Sequence, residues 1–136
     1  MTLSACWELQ KALHAALVAD AALSSLVGGR VFDRPPQDAD FPFVTLGDSE
    51  VEPDGGGSEG AAIHRLALSV WSRGRGRRET KEIMSAADAA LRDASLPMTG
   101  HVLVNLYLER ASVAYASEAE ALRGRLIFRA YTEQTT

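Results

Sequence analysis

Between Phe41 and Arg73, two runs of strand-forming residues bracket a segment that no core can absorb. The first run reads FPFVTLGDSEV and the second AAIHRLALSVWSR, with EPDGGGSEG between them. The middle piece is acidic and rich in glycine. It can bury little apolar surface, so it is expected to be mobile in the lone subunit. It leaves no room for a parallel crossover, and the flanking runs must therefore pair antiparallel. A long loop between paired strands of a compact domain commonly exists to meet a partner. The pattern predicts an assembly or binding protein rather than an enzyme.

The rest of the chain supplies what covers that hairpin. Leu3 to Ala19 carries Leu9, Leu13, Ala16 and Leu17 at helical spacing. Asp20 can cap a short second helix that Gly28 and Gly29 end, with Leu23, Leu26 and Val27 on its buried side. Arg30 to Phe32 reads as a short extended piece, and Pro35 and Pro36 force an irregular connector through Asp40. Strands are predicted over Phe43 to Val51 and Ala62 to Ser72, then a helix from Arg77 to Asp93 with Ile83, Ala86, Ala87, Ala90 and Leu91 inward. His101 to Ala111 and Leu122 to Glu133 alternate as two further strands. The segment between them contains SEAEA, which could form a helical turn. The expected architecture is a single α+β domain over residues 1–136, ordered α-α-β-β-α-β-β, with a mobile loop at about 48–60. Its four-stranded, mainly antiparallel sheet has helices packed on one face. The opposite face is expected to carry Phe43, Ile63, Trp71, Leu103, Tyr107, Ile127 and Tyr131. That is too apolar for a face open to water, so more chain or another subunit should cover it.

Length and composition narrow the function classes. A chain of 136 residues suits one core. The net charge of −4 argues against coating nucleic acid by bulk attraction. Cys6 is the only cysteine, which excludes an internal disulfide and a cysteine-based zinc site and fits a reducing cytoplasm. No apolar run approaches the roughly 20 residues needed to cross a bilayer. The first residues lack the basic-then-apolar pattern of a secretory signal.

The search for chemistry returns little. There is no phosphate-binding Gly-Lys-Ser/Thr loop, no Gly-x-Ser-x-Gly elbow and no His-Glu-x-x-His helix. His14, His64 and His101 are scattered and read as core or surface histidines rather than a metal triad. Cys6 beside Trp7 reads as a small core residue rather than a nucleophile. Asp48, Glu50, Glu52, Asp54 and Glu59 do not follow EF-hand spacing and read as a solvated, self-repelling loop. Arg73, Arg75, Arg77, Arg78 and Lys81 form the one basic cluster. Three readings of it stand side by side: phosphate contact, pairing with carboxylates of a neighbouring subunit, and a solvated turn without a task. Glu79 and Glu82 in the same run weaken the phosphate reading, so subunit pairing is the preferred functional one. The runner-up function is a small nucleic-acid-binding module built on Arg73 to Lys81.

The pieces LVGGRVFDRPP, FPFVTLGD and VWSR, the helix start RRETKEI and the closing pair HVLVNLYLERA and LRGRLIFRAY together resemble one family. It is the tail-completion or tail-terminator family of long-tailed phages, prophages and gene transfer agents. The resemblance implies a structural protein with neither active site nor cofactor. It implies a ring, generally a hexamer, on the head-proximal end of the tail tube. Such a ring stops tube polymerisation, meets the head-side connector or stopper protein, and lets DNA pass through its lumen. Another neck or connector role is the alternative within the same setting. Assembly is expected in the bacterial cytoplasm, followed by residence in a phage-like particle. The loop at about 48–60 is the implied assembly element. Asp48, Glu50, Glu52, Asp54 and Glu59 on one side and Arg73, Arg75, Arg77 and Arg78 on the other are the expected interface residues.

Overall fold

A computed structural model of the chain describes residues 2–57, 59–74, 76–92 and 96–135. Helix α1 runs over Thr2–Ala19 and α2 over Ala21–Val27. The boundary between them follows from local chemistry. Asp20 accepts a hydrogen bond from the Leu23 amide at 2.9 Å, and Gly28 takes the left-handed conformation (φ 60°) that ends the helix. Strand β1, Val31–Phe32, is followed by β2, Phe43–Pro53, and β3, Ala62–Ser72. Helix α3 spans Arg78–Arg92, β4 spans His101–Ala116 and β5 spans Ala121–Gln134.

The sheet has five strands in the order β1-β2-β3-β5-β4. This corrects the four-stranded expectation: Val31 and Phe32 pair parallel with Val44 and Thr45, so the short extended piece is a strand and the element order gains a β. All other pairings are antiparallel. A two-residue strand carries no periodic signal, and its pairing is made by the approach of a distant segment. The α+β class and the helical layer on one face stand as expected. The predicted end of α3 at Asp93 lies outside the described residues.

Two further boundaries and one facing assignment differ from expectation. β2 continues through Pro53, paired with Ala62, so the loop expected to begin near residue 48 starts only at Asp54. Glu50 and Glu52 before it pair with Arg65 and Ile63 of β3, which the charge pattern alone could not indicate. β4 runs on to Ala116, and the SEAEA segment forms the tight turn into β5, closed by two successive i→i+3 backbone hydrogen bonds. Finally, Leu103 packs against the core instead of on the outer face. The register shifts between Leu103 and Asn105, and this bulge reverses the alternation that a regular strand would have kept. A second shift sits between Leu46 and Ser49. There Gly47 lets β2 approach the Ala67 carbonyl, which a Cβ would meet at 3.1 Å.

The core lies between the sheet and the helices. Leu9, Leu13 and Leu17 of α1 and Ile83, Ala87 and Leu91 of α3 pack against Leu66, Leu68, Val70, Leu126 and Phe128. Small residues let α3 lie close: Gly124 of β5 sits under Met84 and Thr80, and a Cβ there would fall 3.0 Å from Thr80 Cγ2. Two histidines enter this layer. His64 is fully buried and shares a 2.9 Å hydrogen bond with the Thr132 hydroxyl, while buried His101 meets the Ser4 hydroxyl at 3.0 Å. His14 stands apart, bonded to the Val31 carbonyl at 2.9 Å. Cys6 is half-buried, with Sγ 3.7 Å from Ser49 Oγ.

Candidate assembly surface

The face of the sheet away from the helices is where sequence reasoning left a question. Its side chains are those of Phe43, Thr45, Glu50 and Glu52 on β2 and of Ile63, Arg65, Ala67, Ser69 and Trp71 on β3. β5 adds Arg123, Arg125, Ile127, Arg129 and Tyr131, and β4 adds Tyr107, Glu109 and Arg110. At one end the apolar residues are covered by the chain itself. Phe32, Phe41 and Phe43 form a tilted cluster with ring centroids 4.9 to 5.9 Å apart, and Phe43 stacks on Trp71. The proline-rich connector therefore serves as a partial lid, with Arg73 over the Phe41 ring at 3.9 Å and Arg123 over Trp71 at 5.2 Å.

Towards the middle the face is a field of arginines. Arg65 stands directly opposite Arg129, a like-charge pair that strains an isolated sheet. Arg65 is compensated by Glu109 at 3.4 Å and Glu52 at 4.0 Å, and Arg129 turns to the Tyr107 hydroxyl at 3.3 Å. Arg123 donates to Ser69 Oγ at 3.0 Å. Exposed Arg110 and Arg125 make no ion pair with any described residue. They line a shallow depression of about 460 Å³ together with Asp48, Glu50, Glu109 and Ile127. The one signal that could have found this field is the alternation in LRGRLIFRAY, which puts Arg123, Arg125 and Arg129 on a single side of a strand.

The expected interface residues fall in two separate regions of the sheet. Asp48, Glu50 and Glu52 sit on the distal half of β2, leading to the turn that holds Asp54 and exposed Glu59. Asp54 folds inward, accepting from the Gly56 amide at 3.2 Å and hydrogen-bonded to the Tyr131 side chain. Burial first, and then this bond, push the Tyr131 phenol above its ordinary range. At the opposite end of β3 lies the basic cluster. Glu50 lies opposite Arg65 and Glu52 opposite Ile63, so seven to nine residues of β3, roughly 23–30 Å at the usual rise, separate them from Ser72, beyond which the cluster begins. They cannot pair within one chain.

The cluster itself divides. Arg73 is spent inside the subunit, donating to the Ala119 carbonyl at 2.9 Å and the Glu120 carbonyl at 3.3 Å. Arg78 pairs with Glu82 one turn along α3 at 2.7 Å, an exposed pair of small energetic weight. Arg77 and Lys81 are exposed without an ion pair among the described residues, and Arg75 lies outside them. Neither end holds a group of metal-ligating side chains among the described residues. No helix among the described residues is long and apolar enough to cross a membrane.

Comparison with known proteins bears on what such a subunit belongs to. The family model described as tail completion protein gp17 matches residues 11–133. The chain belongs to that family. A chain in a solved virion of a native gene transfer agent particle is 33% identical, with a TM-score of 0.83 over 94% of this chain and 96% of that one. The gp17 protein of bacteriophage SPP1 is 26% identical, with a TM-score of 0.64 over 97% of this chain and 91% of its own. A search of curated proteins returns no match. Tail completion proteins of this family are structural parts of a virion and not enzymes. The buried, hydrogen-bonded placement of His64 and His101 accords with core roles.

Proposed function

We propose that this tail completion protein forms a closed ring, a hexamer, at the head-proximal end of a tail tube. There it ends tube polymerisation and joins the tail to the head-side connector, with DNA passing through the lumen. In this reading the subunit assembles in the bacterial cytoplasm and then becomes part of a phage-like particle. The observation that carries the reading is the pairing of family membership with two unlike charged regions of one sheet, an acidic run along the distal half of β2 and a basic cluster beyond the opposite end of β3. A ring needs a heterologous contact, in which one surface of each copy meets a different surface of the next. The acidic end, Asp48, Glu50 and Glu52 with Asp54 and Glu59 beyond, faces Arg77 and Arg78 of the neighbour. Arg73 supports that surface from within rather than crossing the interface.

Particles lacking the protein test the central claim: tails of uncontrolled length, or tails without heads, are expected by electron microscopy. Normal tails joined to heads in the deletion would remove the proposal. At the interface, Arg77→Glu with Arg78→Glu is expected to block ring formation and leave the monomer folded. Reversal of Asp48, Glu50 and Glu52 to arginine in the same chain is expected to restore it.

A further inference from the structure

The pairing proposed above uses one sign of charge on each side and leaves three features without a task. The first is the pair of exposed arginines on the outer sheet face, Arg110 and Arg125, that form no ion pair with any described residue. The second is the like-charge opposition of Arg65 and Arg129 beside them, which the fold retains at a cost. The third is the turn between β4 and β5. It carries Glu118 and Glu120, both exposed and without a side-chain partner among the described residues. Beside it Tyr115 is 60% exposed, the most open aromatic of that hairpin.

That turn is built to hold its shape. The Ala119 amide donates to Ala116 and the Glu120 amide to Ser117, each at 3.2 Å. Glu120 adopts a left-handed conformation (φ 50°) that a non-glycine residue keeps only when its surroundings impose it. Arg73 clamps the Ala119 and Glu120 carbonyls from below, and its own guanidinium rests on Phe41. A preorganised tip loses little conformational freedom on docking. Tyr115 and Glu120 line one cleft with Arg77, so the tip presents negative, aromatic and positive groups side by side.

The depression on the outer face has the complementary layout. Arg110 and Arg125 lie next to Asp48 and Glu50, with the apolar Ile127 and Ala67 as floor. Resting on the ring reading, we infer that the β4–β5 turn of one copy seats in this depression of the next copy. Glu118 and Glu120 meet Arg110 and Arg125, Tyr115 covers Ile127, and Arg77 reaches Asp48 and Glu50. Both signs of charge alternate on each surface, so a slipped register places like charges together and is rejected. Duplex DNA fits this face poorly, because its phosphates would meet Asp48, Glu50 and Glu109 beside the arginines.

Disulfide trapping in assembled particles tests the contact. In a Cys6→Ser background, Arg125→Cys with Glu118→Cys is expected to give an oxidation-dependent ladder of multiples of the chain mass. Each single cysteine variant is expected to give no ladder. Glutaraldehyde treatment of wild-type particles reports the ring independently. A glutaraldehyde ladder with no disulfide ladder overturns the seated turn and leaves the ring standing; absence of both overturns the ring reading and this contact with it. Where the cysteine pair fails to assemble, charge exchange decides. Arg110→Glu with Arg125→Glu is expected to abolish particle incorporation, and added Glu118→Arg with Glu120→Arg to recover it. Unchanged incorporation in the first variant, or no recovery in the second, overturns the contact.

Discussion

Acid should loosen this subunit through one residue, His64. Its ring is fully buried between β2 and β5, opposite Val51 on one side and Ala130 on the other. Nε2 is satisfied by Thr132, whereas Nδ1 has no partner among the described residues. Burial, and secondarily the nearby His101, lowers its pKa from 6.5 to about 4. The unfolded chain therefore takes up a proton at higher pH than the folded one. The resulting stability is complete above about pH 6.5 and is lost progressively as the pH falls towards 4. Moving from about pH 7.5 to about pH 5 should cost about 2 kcal/mol from this group alone. With a urea slope of roughly 1–3 kcal/mol per M, the midpoint should fall by about 1 M. The control is His64→Gln, which keeps a polar contact towards Thr132 and cannot titrate. Glu8, whose carboxyl is held below its usual range first by Lys11 and then by the Thr99 amide, titrates beneath this window. If wild type and His64→Gln lose the same stability between the two pH values, the assignment to His64 is refuted.

Three other outcomes follow from packing. Leu68→Ala, at a nearly fully buried site in the centre of β3, should destabilise by about 2–5 kcal/mol in chemical denaturation. Gly124→Ala should cost about 1–3 kcal/mol, because the new methyl meets Met84 Cγ at 2.9 Å and Thr80 Cγ2 at 3.0 Å beneath α3. Arg73→Gln should leave the melting temperature nearly unchanged while speeding amide exchange at Ala119 and Glu120, whose turn it clamps. Unaltered exchange there would show that the turn holds itself.

Much of the scaffold was legible from residues in order. Asp20 and Gly28 marked a helix start and stop because capping is local chemistry. The alternation in Ala62 to Ser72 predicted β3 to the residue, since a central strand with one face in the core shows its period plainly. The strand piece at Val31 and Phe32 could be read only as extended, because its partner is a dozen residues away. Leu103 was assigned to the wrong face because a bulge breaks the two-residue period without a glycine or proline to announce it. Acidic and basic blocks stand out in sequence, yet nothing in the run from Arg73 to Lys81 shows that Arg73 is already engaged with a distant turn.

What the sequence determined by itself was the layered α+β class, the antiparallel hairpin around an acidic turn and membership of a structural virion family. These depend on periodicity, on capping and on motif order, all of which are properties of neighbours along the chain. Tertiary structure alone decided which charges are free. Salt bridges and clamps between residues far apart in sequence consume Arg65, Arg73 and Arg123, and leave Arg110, Arg125, Glu118 and Glu120 without a side-chain partner among the described residues. A charge becomes available for assembly only after the fold has chosen its neighbours, and that choice is made by strand register across the sheet.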